Sequence, residues 1–595
     1  MSTLAEKGTN RFDPIAMEVF SNRLRSITED MGNNLIRSSF STNIKERRDC
    51  SVGLFDGSGR LICQASHVPL HLGSLMGGVT AVLERYRIEE MRQGDTFICN
   101  DPFLARGTHL SDITLVTPVF FNGKVEFFTA NIGHHSDVGG AVPGSIDGGA
   151  RSIFAEGIRI PVIKIVQAGA LDDDLMNLLV QNTREPEERL LDLKVQIGTN
   201  ERGAVAILEL VGQMGFEAVQ NTIEDVLAYT ARRLRNRVRE LKPGNYSYTG
   251  YLDDDGSGVT DPVPIKVTVQ VEGEDLKFDF TGSGPQAKGG VNLTISALEA
   301  VVYYSVKALL DPELMPNSGM FDSVTVTAPP GTIVNAEPGA AVGARASSCQ
   351  RVAGTIFGAF HDLLAPERWM AAHNNACPAL TFSGPWLDRP GRYVYLETLG
   401  GGAGASAELD GMSAIHVHIT NTMNLPAEAL ENEYSLLVEE YGIVQDSGGP
   451  GKMRGGLGIA RQIRALRDGT IFSVRSDGHV IAAQGLAGGG PGATAKLYKN
   501  PGRPDARMLH SKVSNVMLAA GDSIRLETPG GGGFGTPSER SLEALAKDLR
   551  DDMVSLEQAR KDYGADRIDQ ALALNQAVPK SVQNPESAKQ GVRAT

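Results

Sequence analysis

Apolar positions along the chain change period several times, and each change marks an element. Residues 13–38 repeat at helical spacing, with Val19, Phe20, Leu24, Ile27, Met31 and Leu35 on one face and Asp13-Pro14 as N-cap and first turn. Strand-like runs follow at 50–55 and 60–65, around a turn at 56–59, and at 96–100, which Asp101-Pro102 ends. Two β-rich runs, 114–121 and 125–133, flank Asn122-Gly123, the strongest short signal for a type I′ hairpin. Residues 172–240 return to helical period. Beyond Lys242-Pro243-Gly244 the period becomes two, with Ile265, Val267, Val269 and Val271 alternating, then Leu276, Phe278 and Phe280. Helices at 296–310 and 347–364 enclose a strand at 323–328. The last third reads as short strands (393–399, 414–420, 457–464, 471–474) among glycine-rich turns, then a charged helix at 538–563. The pattern predicts an α+β, multi-unit mixed fold of antiparallel hairpins, helices and Gly-rich loops. Its predicted regions are an N-terminal α+β unit (1–244), a middle α/β unit (245–365), a β- and Gly-rich unit (366–537), a C-terminal helix (538–578) and a disordered tail (579–595).

Length supports this division, because single cores stop growing near about 250–300 residues and the chain has 595. Glycine is the compositional outlier, with 68 residues where a usage of about 7% would give roughly 42. Lys+Arg 57 against Asp+Glu 71 leaves a net charge of -14, which argues against nucleic acid or an anionic membrane as the main partner. No apolar run approaches the roughly 18 residues of a membrane span, and the N-terminus lacks a signal h-region. Five cysteines without CxxC spacing fit a reduced, cytoplasmic protein with neither a disulfide framework nor a cysteine zinc site.

The candidate chemistry gathers at the open end of the Asn122-Gly123 hairpin. With Phe121 opposite Lys124 and an unbroken ladder, Asp112 falls opposite Gly133 and His109 opposite Ser136. His109 and His134 then share one face, and Asp112 shares the other with His135. A kink at Leu110-Ser111 would bring Asp112 across. Imidazole plus carboxylate suits zinc, manganese or iron, commonly with three protein ligands and one position left open. Upstream, the charged run 43–49 is either a solvated face or a source of site residues, namely Glu46, Arg47 and Asp49. His67 and His71 are spaced i, i+4, but Pro69 between them argues for a loop. Glu156 is the acidic residue of interest in the Gly-rich segment 141–160. Asp192, Gln196 and Asn200 form a polar helix stripe that either faces solvent or lines a cleft. His416 and His418 would share a strand face, as a packed surface pair or as chelating ligands. The glycine clusters at 446–456 and 529–535 lack the GK[ST] ending of a P-loop and read as tight turns and close backbone approach.

Seven segments, in order, resemble the hydantoinase B/oxoprolinase family: NIKERRDCSVGLFDGSGRLICQASHVPLHLGS, GDTFICNDPFLARGTHLSDITLVTPVF, HHSDVGG, DFTGSGPQAKGGVN, VHITNTMNLPAEALENEY, DSGGPGKMRGGLG and PGGGGFGTP. The resemblance implies a B-type component working in a hetero-oligomer with a larger hydantoinase A-type subunit, which binds ATP and phosphorylates a cyclic amide. The B-type component then opens the activated ring of a hydantoin, 5-oxoproline or lactam by attack of a metal-activated water. Related ketone carboxylases share the His/Asp motif, so carboxylation is the alternative, and a non-catalytic scaffold role is a third. Carried onto this chain, the family's divalent transition-metal ligands fall on His109, Asp112 and one of the adjacent histidines, with Asp49 as a further ligand. Strand parity selects His134. Glu46 and Asp137 are the candidate proton carriers, and the glycine clusters would let backbone N–H groups approach a phosphate or carboxylate.

Overall fold

In a computed structural model, residues 14–577 are described, Val259 excepted. The predicted N-cap Asp13 and the tail from 579 lie outside these residues. Helix α1 (Pro14–Ser38) buries Phe20, Leu24, Met31 and Leu35 as the periodicity predicts, whereas Val19 stays 53% exposed. The short α2 (Thr42–Lys45) leads into strands β1 (Cys50–Asp56) and β2 (Leu61–Gln64), helix α3 (His71–Arg85) and strand β3 (Thr96–Cys99). The central hairpin is β4 (Asp112–Phe121) and β5 (Lys124–His134), followed by β6 (Ile163–Gln167) and β7 (Ala170–Leu171). These strands form one antiparallel sheet in the order β2-β1-β5-β4-β3-β6-β7, with the hairpin at its middle.

Helices α4 (Asp173–Val180), α5 (Pro186–Met214) and α6 (Phe216–Arg239) come next. The hairpin is covered by α3 on one face and α5 on the other, which is why β4 and β5 read as nearly continuous apolar runs. The polar stripe on α5 neither meets solvent nor lines a cleft: Asp192, Gln196 and Asn200 are fully buried against the sheet. Gln196 donates to the Ile113 carbonyl and the Asn131 side chain, Asn200 donates to the Leu115 carbonyl, and Asp192 accepts from the Phe40 N–H. Buried amides must find partners, and here sheet carbonyls supply them.

A second sheet, β11-β10-β9-β8, joins β8 (Gly244–Leu252), β9 (Val263–Glu272), β10 (Asp275–Asp279) and β11 (Val324–Thr327), with only β10 and β11 parallel among the described pairs. Helices α7 (Ile295–Leu310) and α8 (Arg345–Phe360) pack on each other, α7 against α3 and α8 against β8 and β9. One apolar cluster therefore runs from Phe55, Leu75 and Val116 through Val267, Leu298 and Val352. Residues of the N-terminal and middle regions share that core.

The last third holds two more antiparallel sheets, built around 379–385 with 470–475 and around 459–465 with 523–527. Residues 414–420, predicted as a strand, are irregular, and His418 has φ +54°. His416 and His418 therefore share no strand face. The predicted 538–563 helix is two helices, Leu542–Arg550 and Leu556–Tyr563, with Asp552 at φ +53° between them, and a third runs Ala565–Ala577 beyond Gly564.

The glycine clusters pack on one another. Gly531 donates to the Gly456 carbonyl, Gly449 to Gly531, Gly533 to Gly490 and Gly402 to Pro529, each at 2.9 Å. A Cβ on Gly530 would sit 1.7 Å from the Ser447 oxygen, and one on Gly531 1.9 Å from the Ala403 oxygen. Backbones approach this closely only where side chains are absent. These N–H groups are thus committed to carbonyls rather than free to meet an anion.

Candidate metal centre

The open end of the central hairpin sets acidic and imidazole side chains in a row. The β4–β5 ladder slips by one residue at Val119/Phe120, where Glu126 is left unpaired, so Asp112 stands opposite His134 and not Gly133. Paired residues share a face, and the bulge puts Asp112 beside His134. The His134 backbone N–H in turn donates to the Asp49 carbonyl at 3.0 Å, which extends the row onto the residue leading into β1. The turn at Leu110-Ser111, closed by the Asp112 N–H on the His109 carbonyl, folds His109 back over Asp112. The predicted kink at this place therefore acts on His109, while the bulge re-aims Asp112.

His109, Asp112 and His134 offer ligand atoms that all lie within 4.8 Å of one another. His135 points the other way, to Gln196 Oε1 at 2.9 Å under α5. Asp49 reaches to 3.9 Å from His134 Nδ1. His71, the first residue of α3, brings Nε2 to 3.5 Å from Asp49 and 3.7 Å from Asp112, while Ser51 Oγ holds its Nδ1 at 3.1 Å. The loop expected at 67–71 stops one residue short, so Pro69 precedes the helix and does not interrupt it.

Further side chains orient this set. Asp112 Oδ2 accepts from Thr108 Oγ1 at 2.7 Å and from Arg345 of α8. The Asn43 amide nitrogen donates to the His134 carbonyl and lies 3.0 Å from His134 Nδ1, and Arg47 holds that amide by its oxygen. Burial lowers His109 to about 4, with Arg345 adding to the shift, and holds His134 well below its ordinary value, with His109 adding. Burial alone would raise Asp112, but Arg345 and His109 outweigh it and keep the carboxyl well below its usual range. Asp49 is raised by burial against the pull of His71 and Arg47. The result is two neutral imidazoles beside an ionised carboxylate.

This donor set fits a divalent transition metal on its own geometry. His109 Nε2 lies 3.0 Å from Asp112 Oδ1, yet both atoms and His109 Nδ1 are buried without a hydrogen-bond partner among the described residues. Orphaned buried donors and acceptors facing one another mark a place for an ion.

The predicted proton carriers are placed elsewhere. Asp137 accepts from the N–H groups of Gly139, Gly144 and Arg184 and pairs with the Arg184 guanidinium at 2.7 Å. Its oxygens are spent on holding a loop. Glu46 ends α2, half-buried, where its charge is felt by Glu433. Glu156 accepts from Val342 and Gly343 ahead of α8, and burial pushes it up to about 8. A cavity of about 620 Å³ lies next to the centre, lined by Ser51, His67, Leu72, Tyr303, Tyr304 and Lys307 among others. Sequence reasoning considered His71 and set it aside as a loop residue, and it missed Arg345 and Asn43, whose roles come from contacts far apart in the chain.

A mixed α+β fold of mostly antiparallel sheets with a buried carboxylate–imidazole cluster defines the class. The chain belongs to the hydantoinase B/oxoprolinase family, whose model matches residues 13–537. It is 35% identical to an uncharacterized protein of Methanocaldococcus jannaschii, over 93% of this chain and 96% of that one. It is 31% identical to a Pseudomonas protein named as the B component of a D-/L-hydantoinase, over 93% and 95%. With 5-oxoprolinase 1 of Arabidopsis thaliana it shares 33% identity over 89% of this chain but 42% of the relative, so it spans less than half of that protein. Its structure matches the ATP-dependent caprolactamase of Pseudomonas jessenii with a TM-score of 0.87 at 27% identity, covering 96% of this chain and 100% of that one. Acetone carboxylase in a nucleotide-free structure shares the fold, with a TM-score of 0.86 at 20% identity over 96% and 84%. Among the described residues no helix is long and apolar enough to cross a membrane.

Proposed function

We propose that this chain is the B-type component of an ATP-dependent cyclic amide hydrolase, acting on a ring amide that a hydantoinase A-type partner has phosphorylated. The observation that carries the reading is the buried His109–Asp112–His134 cluster with its orphaned ligand atoms. Similarity to a protein named as a hydantoinase B component and to the ATP-dependent caprolactamase supports the reaction class and the existence of a partner. His109, Asp112 and His134 would hold a zinc, manganese or iron ion, with Asp49 beside them. When bound, such an ion supplies Lewis acidity and brings the pKa of a water down toward neutrality.

The chain's own residues do the remaining work. Thr108 and Arg345 fix the Asp112 carboxylate, and Asn43 fixes the His134 ring. His71 bridges the centre and the cavity: Nε2 faces Asp49 and Asp112, Nδ1 meets Ser51, and Ser51 lines the cavity. It is the group placed to carry a proton between them, in the role expected of Glu46 or Asp137. The cavity's apolar wall of Leu72, Tyr303 and Tyr304, with Lys307 at its polar side, suits a small ring.

Co-purification with the A-type partner, metal analysis of that complex and an ATP-dependent ring-opening screen over hydantoins, 5-oxoproline and lactams test the reading. It expects one equivalent of metal, lost in His109→Ala together with ring opening. A complex free of stoichiometric transition metal would overturn it, and bicarbonate-dependent product formation from a ketone would select the carboxylase instead.

A further inference from the structure

A second cavity, of about 350 Å³, is lined by Tyr248 of β8, Phe357 of α8, and Trp369, His373, Asn375 and His418 among others. It shares no lining residue with the cavity beside the metal centre. The two are nonetheless neighbours: Tyr304 lines the metal-side cavity, and its ring centroid lies 6.5 Å from that of Phe357 and 6.2 Å from that of His418. Several local irregularities meet at the second cavity's wall. Asn375 (φ +48°) and His418 (φ +54°) are both left-handed, an uncommon conformation for residues with a side chain, and His418 Nε2 lies 2.7 Å from Asn375 Oδ1. Two lining glycines, Gly354 and Gly358, occupy the interior of α8, where alanine is the better helix former. A Cβ on Gly354 would lie 2.4 Å from Asn375 Oδ1, and one on Gly358 would lie 2.7 Å from the Tyr248 ring. Such departures persist only where the surroundings hold them, and they gather at ligand sites.

The polar groups of the wall are only partly used. With Asn375 Oδ1 as acceptor, His418 carries its proton on Nε2, so Nδ1 is an acceptor, and it is buried without a partner. His373, whose ring centroid is 4.8 Å from that of His418, accepts the Gly404 N–H at Nδ1 at 2.9 Å, which leaves its proton on Nε2. Neither His373 Nε2 nor Asn375 Nδ2 has a hydrogen-bond partner among the described residues. Burial lowers His373 to about 4 and holds His418 well below its ordinary value, so both imidazoles are neutral. The charged side chains of the lining, Asp362 and Arg368, are exposed. The wall thus combines uncharged donors, an uncharged acceptor and aromatic faces.

We propose that this cavity is a second ligand site, which takes a small neutral cyclic amide in its unactivated form. His373 Nε2 and Asn375 Nδ2 donate to the ring carbonyl, His418 Nδ1 accepts from the ring N–H, and Phe357, Tyr248 and Trp369 cover the apolar part of the ring. A cyclic amide suits this set because the ring holds its N–H and C=O on one side, within reach of two imidazoles that stand together. The choice of a ring amide as occupant rests on the proposed function, whereas the cavity and its uncharged polar groups do not.

The test titrates the full-length chain, without ATP or partner, with 2-piperidone and with cyclohexanone, a ring of the same size that has the carbonyl but no N–H. Calorimetry follows wild type, His373→Phe, which removes the donor, and Met370→Trp, which fills the cavity from a side chain that is 43% exposed and so leaves the core alone. The chain has two tryptophans, so Trp386→Phe leaves Trp369 to report on the cavity by its fluorescence. Wild type is expected to bind 2-piperidone at least tenfold more tightly than cyclohexanone, with a change in Trp369 emission, and both His373→Phe and Met370→Trp should weaken that binding at least tenfold. No binding of 2-piperidone, Trp369 emission unmoved at saturation, or Met370→Trp binding as wild type does overturns the site. Equal affinity for cyclohexanone overturns its assignment to an amide. Binding of 2-piperidone that Met370→Trp abolishes, while the complex with its partner opens no cyclic amide, upholds the site and rejects the proposed function.

Discussion

Replacing Asp112 by Asn removes one negative charge from a place where a guanidinium and two imidazoles depend on it. The side chain is 0% exposed and is paired with Arg345, itself 4% exposed, so solvent cannot take over the lost interaction. Breaking a buried pair by deleting one partner costs about 3–5 kcal/mol, because the remaining charge stays buried. Asp112→Asn is isosteric and can keep the Thr108 contact, so most of that cost belongs to Arg345. Asp112 is an acid held below its unfolded value of 3.8; its contribution is complete above that value and is lost as pH falls through the folded pKa. Urea unfolding of chelator-treated protein at pH 7 should therefore place Asp112→Asn about 3–5 kcal/mol below wild type. Arg345→Met should also destabilise, and the double variant should lose less than the sum by at least about 1 kcal/mol. Metal-loaded protein should show a larger gap, since the only firmly ionised ligand is gone. An Asp112→Asn variant within about 0.5 kcal/mol of wild type, or strict additivity with Arg345→Met, would refute the electrostatic account of the centre.

Three other outcomes follow from the geometry. His134→Ala should abolish metal retention on gel filtration, while His135→Ala should keep the metal and cost about 1–3 kcal/mol by leaving Gln196 Oε1 unpaired. Glu156, an acid raised to about 8, contributes stability that is present below its ordinary value of 4.5 and fades as pH rises through 8; Glu156→Gln should flatten that slope in a pH series of melting curves. Gly531→Ala places a Cβ 1.9 Å from a backbone oxygen and should prevent soluble expression, whereas Gly212→Ala, exposed on α5 with nothing within 4 Å, should raise stability by about 0.5–1 kcal/mol.

What could be read from the sequence was local, and what could not was set by contacts far apart in the chain. The Asn122-Gly123 turn, the two strands it joins and the helical run after 172 all rest on short-range period and turn chemistry, and they stand in the structure, although the ladder keeps the expected register only up to the bulge. The α5 stripe was visible as a stripe, but its direction depended on β4 carbonyls 83 and 85 positions away. Arg345 reaches Asp112 across 233 positions, with no local signal to announce it. The glycine clusters were visible as composition; that they pack backbone against backbone is a property of several segments together, since each supplies the carbonyls another needs.

The bulge at Glu126 shows most plainly how a small irregularity can assemble a site. In an unbroken ladder strand parity separates Asp112 from His134, and no choice of rotamer brings a carboxylate through a sheet. One extra residue in β5, close to the turn, shifts every later pair and turns the far end of β5 by one step relative to β4. The same slip carries His135 to the α5 face, where Gln196 is waiting for it, and leaves His134 facing Asp49. Both histidines are therefore specified by a single defect, one as candidate ligand and one as structural bond. The turn that precedes Asp112 then only has to fold His109 over a carboxylate already aimed correctly. Assembly of the centre thus depends on the backbone count between Lys124 and His134 as well as on the identity of the ligands.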